Sequence, residues 1–303
     1  MDTSARTIDA EAEAAANDAA REARAEVYDK AGPPPAADEK PSRRTIKAST
    51  SSDGWHRFVV DIWLTDLNPT EFGVYKRQRN RAKSRQFSSD MDIYAEVIEN
   101  GERTGLIGYR KDAWRDATGM DRRLVFKLFT PSLGWRATMD LMVGRSLQLT
   151  MGARGTPVTA YSINTNEDDL IIYLERSALK WPFLPENFSF FIIRDGKPKF
   201  YRLRRAFITV TGDYTLYDDH NEAIGHIDGK LFTVAGCWHG ALREDHMDKK
   251  LLTTLKLFAG LVIFNRQSRW HMWRLWQGVV AGDIAPDLDR QEADLYKNPR
   301  RVR

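Results

Sequence analysis

The densest single chemistry in the chain lies in Tyr75 to Phe87, YKRQRNRAKSRQF. Lys76, Arg77, Arg79, Arg81, Lys83 and Arg85 follow one another there without an acid. Cations at this density seek phosphate, on anionic lipid head groups or on nucleic acid. Each base beside an anionic bilayer contributes about 1 kcal/mol, so the six together suffice for weak attachment to a membrane. In an extended chain, Arg77, Arg79, Arg81, Lys83 and Arg85 would share one face. The plain alternative is a solvated loop. Ser84, Ser88 and Ser89 flank the run, and phosphorylation there would lower its charge. A second cluster holds Lys197, Lys199, Arg202, Arg204 and Arg205, interleaved with Phe200, Tyr201 and Leu203. Basic and aromatic residues in alternation can present a lipid or nucleic-acid face, with Tyr201-type rings as stacking partners. The same pattern also describes the wet side of a half-buried strand.

Other residue types could support different chemistry. His220, His226, His239 and His246 fall near Cys237 and Asp245, but no pair has the chelate spacing of a zinc finger, so no metal is expected. Cys237-Trp238-His239 puts a thiol and an imidazole on one face of a strand, the minimum for a cysteine hydrolase. No third orienting residue can be picked out beside them, and no G-x-S-x-G, GxGxxG or Walker-type loop is present. Neither an enzyme nor a cofactor is expected. Trp270, Trp273 and Trp276 recur every third residue among Arg266, Arg269 and Arg274. That stripe suits a bilayer interface, where indoles partition, and equally suits a helix packed over a barrel mouth.

The elements that must position these residues are mostly strands. Trp55 to Leu64 is apolar and β-branched, and Ile93 to Tyr109 reads as two strands across Asn100-Gly101. Leu124 to Phe129, Leu147 to Met151 and Leu170 to Leu174 follow as short strands. Phe188 to Ile193 and Phe200 to Leu203 flank Asp195-Gly196, another hairpin turn. Phe207 to Thr211, Tyr214 to Tyr217, Ala223 to Ile227 and Leu231 to Ala235 complete the series. Short, evenly spaced strands with turn residues between them predict an antiparallel sandwich or barrel.

The period then turns helical from Asp248 to Phe264, which is apolar nearly all round and so belongs inside a protein. Arg266 to Val280 reads as a second helix. Residues 1–54 form a tail with transient helix at most, residues 55–282 one β-rich domain, and residues 283–303 a charged end. The tail carries net charge −3 and the remainder +7, out of a total of +4 over 303 residues. No apolar run reaches the length of a membrane span, and the start lacks the order of a secretory signal. With a single cysteine an internal disulfide is excluded. A cytoplasmic protein, peripheral at the membrane, is the expected setting; oligomeric state is not legible.

Two stretches resemble the tubby C-terminal-like superfamily, which includes tubby proteins, phospholipid scramblases and LURP-one-related proteins. One is the strand–turn–strand run YRLRRAFITVTGDYTLYDDHNEAIGHIDGKLF from Tyr201 to Phe232; the other is the apolar helix DKKLLTTLKLFAGLVIF from Asp248 to Phe264. The resemblance implies a closed antiparallel barrel of about a dozen strands around one hydrophobic C-terminal helix. It also implies a non-enzymatic module that binds phosphoinositides or other anionic phospholipids. The chain departs from the family in lacking an acidic loop like the calcium segment of scramblases and a cysteine cluster for palmitoylation. The Lys–Arg pair of tubby's lipid site is assigned to no residues here. The function expected is therefore a binding or scaffolding module on anionic phospholipid surfaces through the Lys76 to Arg85 run. Nucleic-acid binding through the same run is the alternative, and a hydrolase around Cys237 and His239 comes third.

Overall fold

In a strand, alternate side chains face opposite ways, so a two-residue burial period marks a sheet with one covered face. That period runs through Phe58, Val60 and Ile62, then Phe188, Phe190 and Ile192, then Tyr201 and Leu203, all buried in one cluster. The structure, a computed structural model, describes residues 54–62, 86–87, 91–167, 170–178, 185–206, 213–229 and 236–286. Among these residues twelve strands occur: β1 Trp55–Ile62, β2 Met91–Glu99, β3 Glu102–Arg110, β4 Val125–Phe129, β5 Trp135–Leu141, β6 Ala160–Thr165, β7 Ile172–Arg176, β8 Asn187–Arg194, β9 Lys197–Arg205, β10 Tyr214–Tyr217, β11 Ala223–Gly229 and β12 Cys237–Arg243. Every strand pairs antiparallel with its neighbours in sequence, and β12 pairs with β1 to close a barrel. The expected strands Phe207 to Thr211 and Leu231 to Ala235 lie outside the described residues.

Turn chemistry sets the register of the hairpins. Asn100 and Gly101 have φ of 52° and 79°, and Asp195 and Gly196 have 52° and 72°. Positive φ at both central residues gives the twist that two-residue hairpins need. The closing seam depends on a close approach instead. Phe58 pairs with Gly240, and a Cβ on Gly240 would lie 2.0 Å from the Phe58 ring.

Among the described residues there are three α-helices, α1 Lys111–Arg115, α2 Val143–Gly152 and α3 Lys249–Ala281, and two 3-10 turns, Gly119–Asp121 and Glu244–His246. The first turns of α3 thread the barrel. Leu251, Leu255, Leu257, Phe258, Ala259 and Leu261 are buried on all sides. Phe258 meets Phe188 and Tyr214 edge-on, each at 5.0 Å between ring centroids. Gly260 lets Tyr94 pass close enough for its hydroxyl to donate to the Gly260 carbonyl at 3.1 Å. Asp248 caps the helix by accepting from the amides of Lys250 and Leu251 at 2.8 and 3.1 Å. Lys256, the one cation in this apolar stretch, donates to Glu99 at 2.8 Å, and Glu99 also meets His56 at 2.7 Å.

Two expectations are corrected. Leu147 to Met151 is helix within α2, not strand. The two buried polar residues of α2 bond the neighbouring backbone: the Ala160 amide donates to Ser146 at 2.9 Å and the Val158 amide to Thr150 at 3.0 Å. The two C-terminal helices are one helix of 33 residues, uninterrupted between Phe264 and Arg266. At about 1.5 Å per residue it is roughly 50 Å long. A seven-residue strand spans only about 23 Å. The helix therefore outruns the barrel, and its second half packs at one mouth. There Trp114 of α1 donates to Gln267 at 3.3 Å and meets His271 edge-on at 5.8 Å.

Candidate binding surfaces

The second half of α3 divides into a packed and a wet face. Ser268, His271, Met272 and Leu275 are buried, while Ile263, Arg266, Trp270, Arg274 and Gln277 recur at helical spacing on the exposed side. Trp270 is 43% exposed and Ile263 40%. Trp270 stacks on Trp273 with centroids 4.7 Å apart and planes 23° apart, and the Arg274 guanidinium sits 5.1 Å over the Trp270 ring. Of the three expected interfacial indoles, Trp270 is thus open and Trp273 half-covered. Trp276 is packed: a Cβ on Gly155 would lie 2.6 Å from its ring. The whole of α3 contains no Asp or Glu, against three lysines and three arginines.

The second basic cluster lies on β9, where the pleat splits it. Tyr201 and Leu203 point inward, and Tyr201 stacks on Phe190 inside the barrel at 5.5 Å. Tyr201 is therefore no stacking partner for a ligand at the surface. Phe200, Arg202 and Arg204 are exposed on the outer face, in register with Phe191, Ser189 and Asn187 of β8. Arg202 donates to the Asn221 side-chain carbonyl and lies 5.6 Å over Tyr217. Lys199 is 3.6 Å from Asp219, and Arg205 is exposed at the end of the strand. The run Lys76, Arg77, Arg79, Arg81, Lys83 and Arg85 lies outside the described residues. Directly after it, Lys127 donates to the Gln86 carbonyl at 2.9 Å, and Phe87 packs on Phe129 in a small apolar cluster outside the barrel.

Cys237 and His239 are together, as their spacing predicts, with Sγ and Nε2 3.4 Å apart on the outer face of β12. Among the described residues no group of three or more His, Cys, Asp or Glu side chains converges to hold a metal ion. No described helix is both long and apolar enough to cross a membrane.

The most organised polar group escaped the sequence reading. Glu186, just before β8, is 5% exposed and accepts from Arg176 of β7. It also accepts from Tyr214 of β10 at 2.7 Å and from Asn265 of α3 at 2.9 Å, and Arg269 of α3 lies 3.9 Å away. Burial alone would raise the Glu186 carboxyl, but the Arg176 charge and hydrogen bond, with Arg269 and Tyr214, hold it below its ordinary range. Nearby burial and the Glu186 charge push the Tyr214 phenol up. The group clamps two regions of the barrel wall onto the helix where it leaves the barrel. No local motif marks it, because its five members come from three elements and a connecting segment.

These features define a class: a closed twelve-strand antiparallel barrel threaded by a C-terminal helix that carries an exposed indole face. No family model matches the chain, and neither a curated protein nor a solved structure shows significant similarity to it.

Proposed function

We propose that the protein is a non-enzymatic binding module that docks on anionic phospholipid surfaces through the outer face of α3. One observation carries this reading: a stacked, solvent-exposed Trp270–Trp273 pair, capped by Arg274, on a helix with no carboxylate. Indole rings favour the head-group zone, and arginines beside them meet lipid phosphate. Arg266 and Arg274 flank the pair on the same side, and Ile263 adds apolar surface one turn before Arg266. The Lys76 to Arg85 run would add up to six further cations, each contributing about 1 kcal/mol near an anionic bilayer. A closed barrel around a C-terminal helix is also what the resemblance to the tubby-like superfamily implies, and it supports membership. A cytoplasmic protein held peripherally at a membrane is the setting that fits.

Co-sedimentation with neutral, phosphatidylserine-containing and phosphoinositide-containing vesicles tests this. Wild type should pellet with the anionic vesicles. Trp270→Ala with Trp273→Ala should remove the part of the binding that survives about 0.3 M salt, because apolar insertion resists salt while charge pairing does not. Changing Lys76, Arg77, Arg79 and Arg81 to Ala should weaken the salt-sensitive part, to which Arg266 and Arg274 still contribute. Failure to pellet with any vesicle would refute the reading.

A further inference from the structure

On the barrel wall, away from α3, the outer face of β7 to β9 forms a groove of about 770 Å³. Phe191 and Phe200 line its floor, directly paired across β8 and β9, with ring centroids 5.7 Å apart. They are 38% and 57% exposed, although a barrel with a filled interior has no structural need for two phenylalanines in water. Arg202 follows Phe200 on the same face and also lines the groove, with Arg204 next in the row. Tyr173 and Arg145 border it on the β7 side, and Asn221 on the β10–β11 side.

The groove contains acids, but each is engaged. Glu175 pairs with Arg145, and Asp219 sits 3.6 Å from Lys199 and 3.7 Å from His220. Asp218 accepts from the backbone amides of His220 and Glu222 at 3.0 and 2.8 Å. Arg202 bonds only a neutral amide oxygen, that of Asn221. Across β8 and β9 as a whole there are six cations, Arg194, Lys197, Lys199, Arg202, Arg204 and Arg205, against Asp195 alone in the turn. An aromatic floor with a row of arginines running off one edge is complementary to an unpaired base joined to its phosphate. The base would stack on the rings and the phosphates would follow the arginines.

We propose that this groove binds the base–phosphate unit of single-stranded nucleic acid, with Phe191 and Phe200 as the stacking platform and Arg202 and Arg204 as phosphate contacts. The site needs neither α3 nor a membrane. A base seated on Phe200 places its flanking phosphates toward Arg202 and Arg204, one residue pair apart at about 6.7 Å. Duplex nucleic acid does not fit, because its bases are already stacked and their faces closed.

Fluorescence anisotropy with a labelled twelve-nucleotide thymidine strand tests the site on the full chain, without lipid. The strand should bind, and the same strand in a duplex should bind at least tenfold more weakly. Phe200→Leu keeps the apolar volume but removes the ring, and should weaken binding about tenfold. Phe200→Trp should bind as well as wild type or better. Trp270→Ala should leave this binding unchanged while impairing attachment to vesicles, so the two proposals fail independently. The two arginine contacts predict a slope of roughly −1.4 in log K against log salt. Competition with adenosine monophosphate distinguishes the sources of the shared chemistry. Displacement at similar concentrations would mark a free-nucleotide site, and a large excess requirement a strand site. Equal affinity for duplex and single strand would overturn the proposal, as would an unaltered Kd in Phe200→Leu or no binding of either ligand. Both rings are exposed, so circular dichroism and a melting curve suffice to show that the variants fold.

Discussion

Changing Glu186 to Gln keeps the size of the side chain and one carbonyl oxygen, so the bonds from Tyr214 or Asn265 can persist in part. The negative charge is lost. Arg176 is then left 6% exposed, its Nη1 still donating to the Pro157 carbonyl at 2.7 Å, with the Arg269 guanidinium close by and no counter-charge. Removing one partner of a buried ion pair costs about 3–5 kcal/mol, because the remaining charge stays desolvated. At about 2–4 °C per kcal/mol for a domain of this size, the melting temperature should fall by roughly 6–20 °C. Urea denaturation followed by circular dichroism measures the difference directly. The effect must also depend on pH in one direction. Glu186 titrates lower in the folded than in the unfolded chain, so its stabilisation is full above the unfolded value near 4.3 and is lost as the pH falls through the folded value. Wild type and Glu186→Gln should therefore converge in acid. A difference under 1 kcal/mol at pH 7, or one that stays constant into acid, would show that the buried cluster does not clamp α3 to the wall.

Two further perturbations probe the barrel seam and the covered mouth. Gly240→Ala should cost about 1–3 kcal/mol by forcing the Phe58 ring off the β1–β12 seam. Adding Phe58→Leu should recover part of that loss, and a Gly240→Ala protein as stable as wild type would contradict the close packing. Burial, together with the Arg122 and Arg274 charges, lowers His271 to about 4, although its bond to the Arg122 carbonyl opposes the shift. The unfolded imidazole titrates near 6.5, so stability from the neutral, buried ring is complete above that value. It should fall by up to about 3 kcal/mol as the pH drops toward 4. His271→Gln should flatten this slope in melting curves, and an imidazole that titrates near 6.5 by NMR would refute the assignment.

The hairpins were readable because their determinants are adjacent in the chain: Asn100-Gly101 and Asp195-Gly196 carry the φ signs that the turns need. The buried helix was readable because its apolar residues leave no wet face. Barrel closure joins Trp55 to Arg243, and no local pattern reports a pairing across that separation. The strand misassigned at Leu147 to Met151 is a short apolar run, where helical and strand periods cannot be told apart. Asn265 looks like punctuation between two helices, yet its amide reaches inward to Glu186, and the helix passes through unbroken. On β9 basic and aromatic residues alternate in the sequence, but the pleat exposes Phe200 and buries Tyr201. Only the register of the strand against its neighbours decides which ring faces water.

Entry of the α3 indole face into a bilayer can be read directly from quenching of tryptophan fluorescence by brominated anionic vesicles. The chain holds nine tryptophans, so wild type is compared with a variant carrying Trp270→Phe and Trp273→Phe. Wild type should be quenched, and the variant should lose most of that quenching. Equal quenching in both proteins, or none in wild type under conditions where it pellets with vesicles, would place the lipid contact elsewhere on the molecule.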